Sequence, residues 1–268
     1  MKITGPLRIV VLLTAGYVTL AVFARVLAAK ALYHPQMGSR QAPPGLQRIR
    51  GEAGHDVAFL YLPNASARFT IWFFHGNAEA LADVEPFMRA LHAAGFAVFA
   101  FDYPGYGTSG GQPSEKSIYE AARVARSHLR HDLGISAANT ILFGRSLGGG
   151  PAVQMATEER VAGLVLQSTF TSVYRVLTRW PILPFDSFEN QRKFARTSCP
   201  VLITHGRADE VIPFHHAETL LASAKGPKYL LAIDGAMHND FLEVAGNRFW
   251  DALRDFSASC ARTREGAP

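Results

Sequence analysis

Gly144-Arg145-Ser146-Leu147-Gly148 decides how this sequence is read. An apolar run, residues 140–143, precedes it and a segment of small residues follows, so the local pattern is strand, tight turn, helix. A serine at the centre of G-x-S-x-G in that setting sits on a strained turn that pushes its hydroxyl clear of the sheet, while the glycines let backbone and helix pass close together. That arrangement suits a nucleophile. Two glycines and a serine within five residues also occur in ordinary glycine-rich loops, so the motif needs partners elsewhere in the chain.

Outward from the motif, β-branched and aromatic runs predict strands over residues 46–50, 57–62, 69–74, 96–101, 140–143, 162–167, 201–204 and 229–233. The run at 96–101 is almost continuously apolar, as expected of a strand covered on both faces. Between the strands, apolar residues recur at helical spacing. Leu81, Val84, Phe87, Met88 and Leu91 form one stripe; Ile118, Ala122, Ala125 and Leu129 form another behind a Ser114 cap. Further helices are expected from the motif to about residue 157, over 217–221 and over 249–256, with the chain frayed from about 262 on. Alternation of this kind implies an α/β fold: a mostly parallel sheet of about eight strands with helices on both faces. Residues 168–198 break the rhythm with Pro181, Pro184, Phe185 and Phe188 and read as a short cap.

Length and composition fit one domain plus an extra segment. The chain has 268 residues, 48% hydrophobic and 18% charged, enough to build a core without a metal or disulfide staple. The domain is placed at 31–262, with a disordered tail at 263–268. Net charge is +5, but the basic residues are scattered and no nucleic-acid motif occurs, so the balance implies a mild preference for anionic surfaces. Arg123, Arg126 and Arg130 share a helix face, read as solvated, with lipid headgroups as the minor reading. Cys199 and Cys260 are expected to be free thiols.

Residues 9–24 carry no charge and are flanked by Arg8 and Arg25. With Arg25 reaching to an interface, residues 1–30 read as a single-pass membrane anchor. A signal peptide cleaved near Ala29-Lys30-Ala31, leaving a secreted or periplasmic protein, is the competing reading. In both readings the segment lies outside the catalytic fold.

In a parallel sheet, functional groups gather beyond the carboxyl ends of the strands. The strand at 201–204 leads to His205-Gly206-Arg207-Ala208-Asp209, and the strand at 229–233 to Asp234-Gly235-Ala236-Met237-His238. Ser146, Asp209 and His238 thus follow in the order nucleophile, acid, base. A serine hydroxyl needs an imidazole to take its proton and a carboxylate to orient that imidazole. Glu210 and Asp234 compete with Asp209 for the acid role; Asp102 reads as a loop brace. Gly105, Gly107 and Gly110 match a dinucleotide fingerprint, but Pro104 and the absence of a later acidic partner argue against a nucleotide. No cofactor is expected and no metal: His215 and His216, adjacent on a helix, should point apart, and neither belongs to a metal motif.

HGN at His75 to Asn77, FDYPGYGTSGG at Phe101 to Gly111, GRSLGG at Gly144 to Gly149, HGRADEVIP at His205 to Pro213 and GAMHND at Gly235 to Asp240 together resemble the alpha/beta-hydrolase superfamily. The chain is similar in particular to its membrane-anchored serine hydrolases, a branch that includes lysophospholipases and protein depalmitoylases. The resemblance implies the alpha/beta-hydrolase fold, a triad of Ser146, Asp209 and His238, and an oxyanion hole from the amides of Asn77 and Leu147. Because that role belongs to the Asn77 backbone, Asn77→Ala is expected to be mild for catalysis and Asn77→Pro to cost about 3 kcal/mol or more of transition-state stabilisation. The implied activity is cleavage of carboxylic esters or thioesters; the short aromatic cap and the neighbouring membrane segment suggest a lipid or acyl-chain substrate, held between Phe170, Tyr174 and Trp180. Those aromatics compete with a plain core-packing reading, and a serine peptidase or a non-catalytic binder on the same scaffold remains the alternative function.

Overall fold

The computed structural model describes residues 5–51, 54–178 and 185–265. The strands are β1 (Gln47–Arg50), β2 (Asp56–Leu62), β3 (Thr70–Phe74), β4 (Ala97–Phe101), β5 (Thr140–Arg145), β6 (Gly163–Gln167), β7 (Val201–Gly206) and β8 (Lys228–Ile233). They form one sheet in the order β1-β2-β4-β3-β5-β6-β7-β8, antiparallel across β1/β2 and β2/β4 and parallel from β4 onward. Every expected strand forms, with ends shifted by up to two residues.

The helices are α1 (Gly5–Leu32), α2 (Leu81–Ala93), α3 (Glu115–Ser127), α4 (Gly149–Glu158), α5 (Val173–Leu177), α6 (Asn190–Phe194), α7 (His215–Ser223), α8 (Phe241–Ala245) and α9 (Asn247–Glu265). The central strands are buried throughout, and alternate residues feed two cores. Trp72, Phe74, Phe99, Phe101 and Leu142 share one face with residues of α3, α4 and α7 such as Ile118, Val153 and Leu220. Ile71, Phe73, Val98, Ile141 and Phe143 meet Leu81, Val84, Met88 and Leu91 of α2 and Phe249, Leu253 and Phe256 of α9 on the other. Each helix therefore buries the stripe its spacing marked.

Several expectations change. The Ser114 hydroxyl caps α3 as read, accepting the Ser117 amide at 3.0 Å, but the arginine stripe behind it is ion-paired. Arg123 and Arg126 both bind Glu158, at 2.6 and 2.8 Å, and Arg130 binds Glu159 at 2.5 Å. Carboxylates at the end of α4 supply these partners. Helix α8 was not anticipated, and α9 continues to Glu265 where a frayed tail was expected. Cys199 and Cys260 are free and buried, and burial pushes their thiols up to about 11 and about 12.

Among the described residues no helix is long and apolar enough to cross a membrane. The expected transmembrane anchor is therefore not shown. Over that segment the structure presents α1, with Leu12, Leu13 and Leu20 more than 60% exposed. In the cap, Phe188 is fully buried with φ of +50°, and a Cβ on Gly150 of α4 would collide with its ring. Phe188 thereby fixes the cap to α4.

One close approach lies between the residue that caps α4 and the end of β3: a Cβ on Gly148 would overlap the carbonyl oxygen of Phe74, which is backbone and cannot rotate away. Gly148→Ala is expected to destabilise the fold by about 3 kcal/mol, read as a lowered urea midpoint at unchanged slope. An unchanged midpoint would show that the strand end yields freely.

Candidate active site

Register brings the site together. Phe74 of β3 pairs with Gly144 of β5, Arg145 of β5 with Gln167 of β6, Gln167 with Thr204 of β7, and Gly206 of β7 with Ile233 of β8. The segments that follow these strands therefore emerge along one rim. Ser146 opens a single 3₁₀ turn between β5 and α4 and has φ of +51°, a left-handed conformation that costs a non-glycine residue about 1–2 kcal/mol. Its carbonyl accepts the Thr169 hydroxyl at 2.7 Å, which ties the turn to the end of β6.

Ser146, Asp209 and His238 meet. His238 Nδ1 lies 2.8 Å from Asp209 Oδ2, and His238 Nε2 lies 3.1 Å from Ser146 Oγ. A carboxylate only accepts, so Nδ1 donates to Asp209, and Nε2 is the nitrogen that faces the serine hydroxyl. Asp209 is buried, which by itself would raise its pKa. Hydrogen bonds from His205, His238 and the Ile212 amide outweigh that penalty and hold the carboxyl well below the usual carboxylate range. Its Oδ1 accepts the amides of Val211 and Ile212 at 3.0 and 2.7 Å.

The competing acids have other work. Glu210 accepts the His238 backbone amide at 3.2 Å and so holds the base's loop, a role that sequence reading missed. Asp234 pairs with Arg207 at 2.9 Å. Asp102 accepts the first amide of α2, from Leu81, at 2.8 Å, consistent with a brace.

Asn77 follows β3, next to the serine turn. Its side chain is not idle: Oδ1 accepts the His34 amide at 3.0 Å and the Tyr106 hydroxyl at 2.6 Å, while Nδ2 donates to the Leu32 carbonyl at 2.7 Å. These bonds tie the Asn77 side chain to the last residue of α1 and to the segment just after it. Leu147 is buried in the first turn after Ser146, where an amide has no intrahelical partner.

Of the expected substrate contacts, Phe170 is 5% exposed and packs edge-on to Phe188, so it is a core residue. Tyr174 lines a cavity of about 550 Å³ together with Leu32, Tyr33, Tyr119 and Val173. Trp180 lies outside the described residues. Among the described residues no cluster suited to a metal occurs, and the rings of His215 and His216 stack 4.4 Å apart where they were expected to diverge.

The family model described as serine aminopeptidase, S33, matches residues 65–185. Alpha/beta hydrolase domain-containing protein 17B of Homo sapiens is 35% identical over 211 residues, spanning 77% of this chain and 73% of that protein. The chain belongs to the alpha/beta-hydrolase superfamily. The protein of the same name from Xenopus laevis is 36% identical over 213 residues, 78% of this chain and 73% of its own. Among solved structures, an esterase from Pyrococcus furiosus superposes with a TM-score of 0.68 at 17% identity, covering 79% of this chain and 90% of that one. A monoacylglycerol lipase from Paleococcus ferrophilus does so with a TM-score of 0.61 at 22% identity, covering 76% and 99%. At such identities these two carry the alpha/beta-hydrolase fold and no more.

His216 of α7 supports the segment after β6 by accepting the Thr171 amide at 3.2 Å on Nδ1, with the Thr171 hydroxyl at 3.0 Å. Burial, then the nearby His215 and His205, pulls its pKa down to about 4. The folded state thus disfavours protonation. Its contribution to stability is full above the unfolded histidine value of about 6.5 and is lost as pH falls toward 4. Wild type should lose melting temperature relative to His216→Asn across that window. A gap that stays constant with pH would contradict this.

Proposed function

We propose that this chain is a serine hydrolase that cleaves carboxylic ester or thioester bonds through an acyl-enzyme. The observation that supports the reading best is the hydrogen-bonded line from Asp209 through His238 to Ser146. In this mechanism Ser146 Oγ attacks the carbonyl carbon as its proton passes to His238 Nε2. Asp209, held ionised, stabilises the imidazolium. The tetrahedral oxyanion takes hydrogen bonds from the backbone amides of Asn77 and Leu147. Collapse expels the alcohol or thiol, which takes the proton from Nε2, and water then repeats the sequence to free the acid.

An acyl substrate is favoured by the cavity beside Tyr174. Its volume is in the range of small-molecule sites, and its wall residue Leu32 is one hydrogen bond from Asn77. The exposed apolar side chains of α1 suit a protein held at a lipid surface, with the helix lying in the interface. A peptidase is the second reading, favoured by the description of the family model that matches residues 65–185.

Ser146→Ala should lower kcat for p-nitrophenyl butyrate by roughly 10⁶ and Asp209→Asn by roughly 10⁴. Wild-type turnover by Ser146→Ala would end the proposal, and absence of a fluorophosphonate adduct on Ser146 would favour a binding protein. Aminoacyl p-nitroanilides turned over faster than esters would favour the peptidase.

If Tyr174 lines the acyl site, Tyr174→Ala should raise KM for long-chain p-nitrophenyl esters about tenfold, as expected for about 1.4 kcal/mol of lost contact, and leave the acetate ester unchanged. An equal effect on both esters would move the acyl site elsewhere.

A further inference from the structure

We infer that Glu79 is a positioning residue that aims the Asn77 amide at the oxyanion and locks it to the nucleophile turn through Arg145. This rests on the serine hydrolase reading above. Two peptide planes meet at Gly76, and both are held. The N–H of the first is donated to Glu79 Oε2 at 2.6 Å. The carbonyl of the second, Gly76 O, lies 2.8 Å from His75 Nδ1. A carbonyl only accepts, so His75 donates from Nδ1, and burial, by lowering its pKa, keeps the ring neutral. That second plane also carries the N–H of Asn77, and in a trans peptide the N–H points opposite to the carbonyl. Fixing Gly76 O therefore fixes the direction of the Asn77 amide.

Glu79 then joins this loop to the catalytic turn. Its Oε1 accepts Arg145 Nη2 at 2.5 Å and its Oε2 accepts Arg145 Nε at 3.3 Å, a two-point contact between residues 66 positions apart. Arg145 immediately precedes Ser146. Its guanidinium lies over the rings of Phe73 and Phe87, at 5.3 and 5.5 Å from their centroids, which limits its freedom to leave the carboxylate. The spacing is tight: a Cβ on Gly76 would stand 2.8 Å from Glu79 Oε2 and 3.7 Å from Ser146 Cβ. A single carboxylate thus spans the two loops whose amides and hydroxyl must converge on one carbonyl group.

The test uses the full-length protein with p-nitrophenyl butyrate. Because the oxyanion donor is misaimed rather than deleted, Glu79→Ala should lower kcat by about 10- to 100-fold, below the 10²–10³ of a lost donor, with KM within about twofold. Glu79→Gln keeps one carbonyl to accept the Gly76 amide and should fall between Glu79→Ala and wild type. Glu79→Ala combined with Arg145→Gln should be no worse than Glu79→Ala alone, because both act through one contact. Folded Glu79→Ala with wild-type kcat, while Ser146→Ala is inactive, would overturn the inference and leave the hydrolase reading intact. A loss of kcat that merely follows the folded fraction measured by circular dichroism would overturn it too. If Glu79→Ala does not fold, the isosteric Glu79→Gln decides on the same criteria. Wild-type turnover by Ser146→Ala would instead remove the reading on which the inference rests.

Discussion

The fold turns on the contact between the start of α4 and the carboxyl end of β3. Gly148 lies against the Phe74 carbonyl so closely that no side chain fits between them. With α4 that close and β3 and β5 neighbours in register, the residues that follow the two strands have nowhere to go except toward one another. The left-handed backbone of Ser146 follows from the same restriction: the chain must leave β5 and enter a helix within one residue of the strand end. Its strain of about 1–2 kcal/mol is small beside the burial of the strands that impose it. Other non-glycine residues at positive φ, Ala78 and Ser168, also stand just beyond strands at this rim.

Three histidines stand at or beyond strand ends here, and their partners rather than their positions separate their roles. His75 is fully buried with Nδ1 engaged by Gly76 O. His205 is fully buried as well, with Nε2 at 2.8 Å from the Ile212 carbonyl and 3.2 Å from Asp209 Oδ2. Both of those partners only accept, so Nε2 of His205 donates to them, and its Nδ1 is buried without a hydrogen-bond partner. His238 alone of the three turns a ring nitrogen toward a hydroxyl. Asp209 serves both His205 and His238 from one oxygen while its other oxygen takes two backbone amides, so the carboxylate is braced in orientation as well as in charge.

The strands and the convergence of Ser146, Asp209 and His238 were legible in the sequence because both follow from local pattern. Apolar runs predict strands, parallel order predicts a common rim, and residues just after strands fall on it. What was not legible depends on contacts between distant segments. Nothing near Asn77 signals that its side chain binds residues 43 and 45 positions earlier. The arginine stripe looked solvated because its partners, Glu158 and Glu159, stand at and just past the end of α4, 29 or more residues away. Phe170 was read as a substrate contact because an aromatic in an irregular segment has no periodicity to reveal its direction; the structure turns it inward onto Phe188. Helix α8, five residues long, is too short for a helical repeat to show.

The N-terminal helix bears on the site more directly than its composition suggested. Leu32 is both the last residue of α1 and the acceptor of the Asn77 side-chain amide, and His34, two residues on, donates to the same side chain. No slack separates helix from loop. Removal of a leader at Ala29-Lys30-Ala31 would leave this clasp in place, so the contact by itself is compatible with either fate of the segment. Leu32 and Tyr33 also stand in the wall of the cavity beside Tyr174, so the residues that tie the helix to the Asn77 loop line that cavity as well.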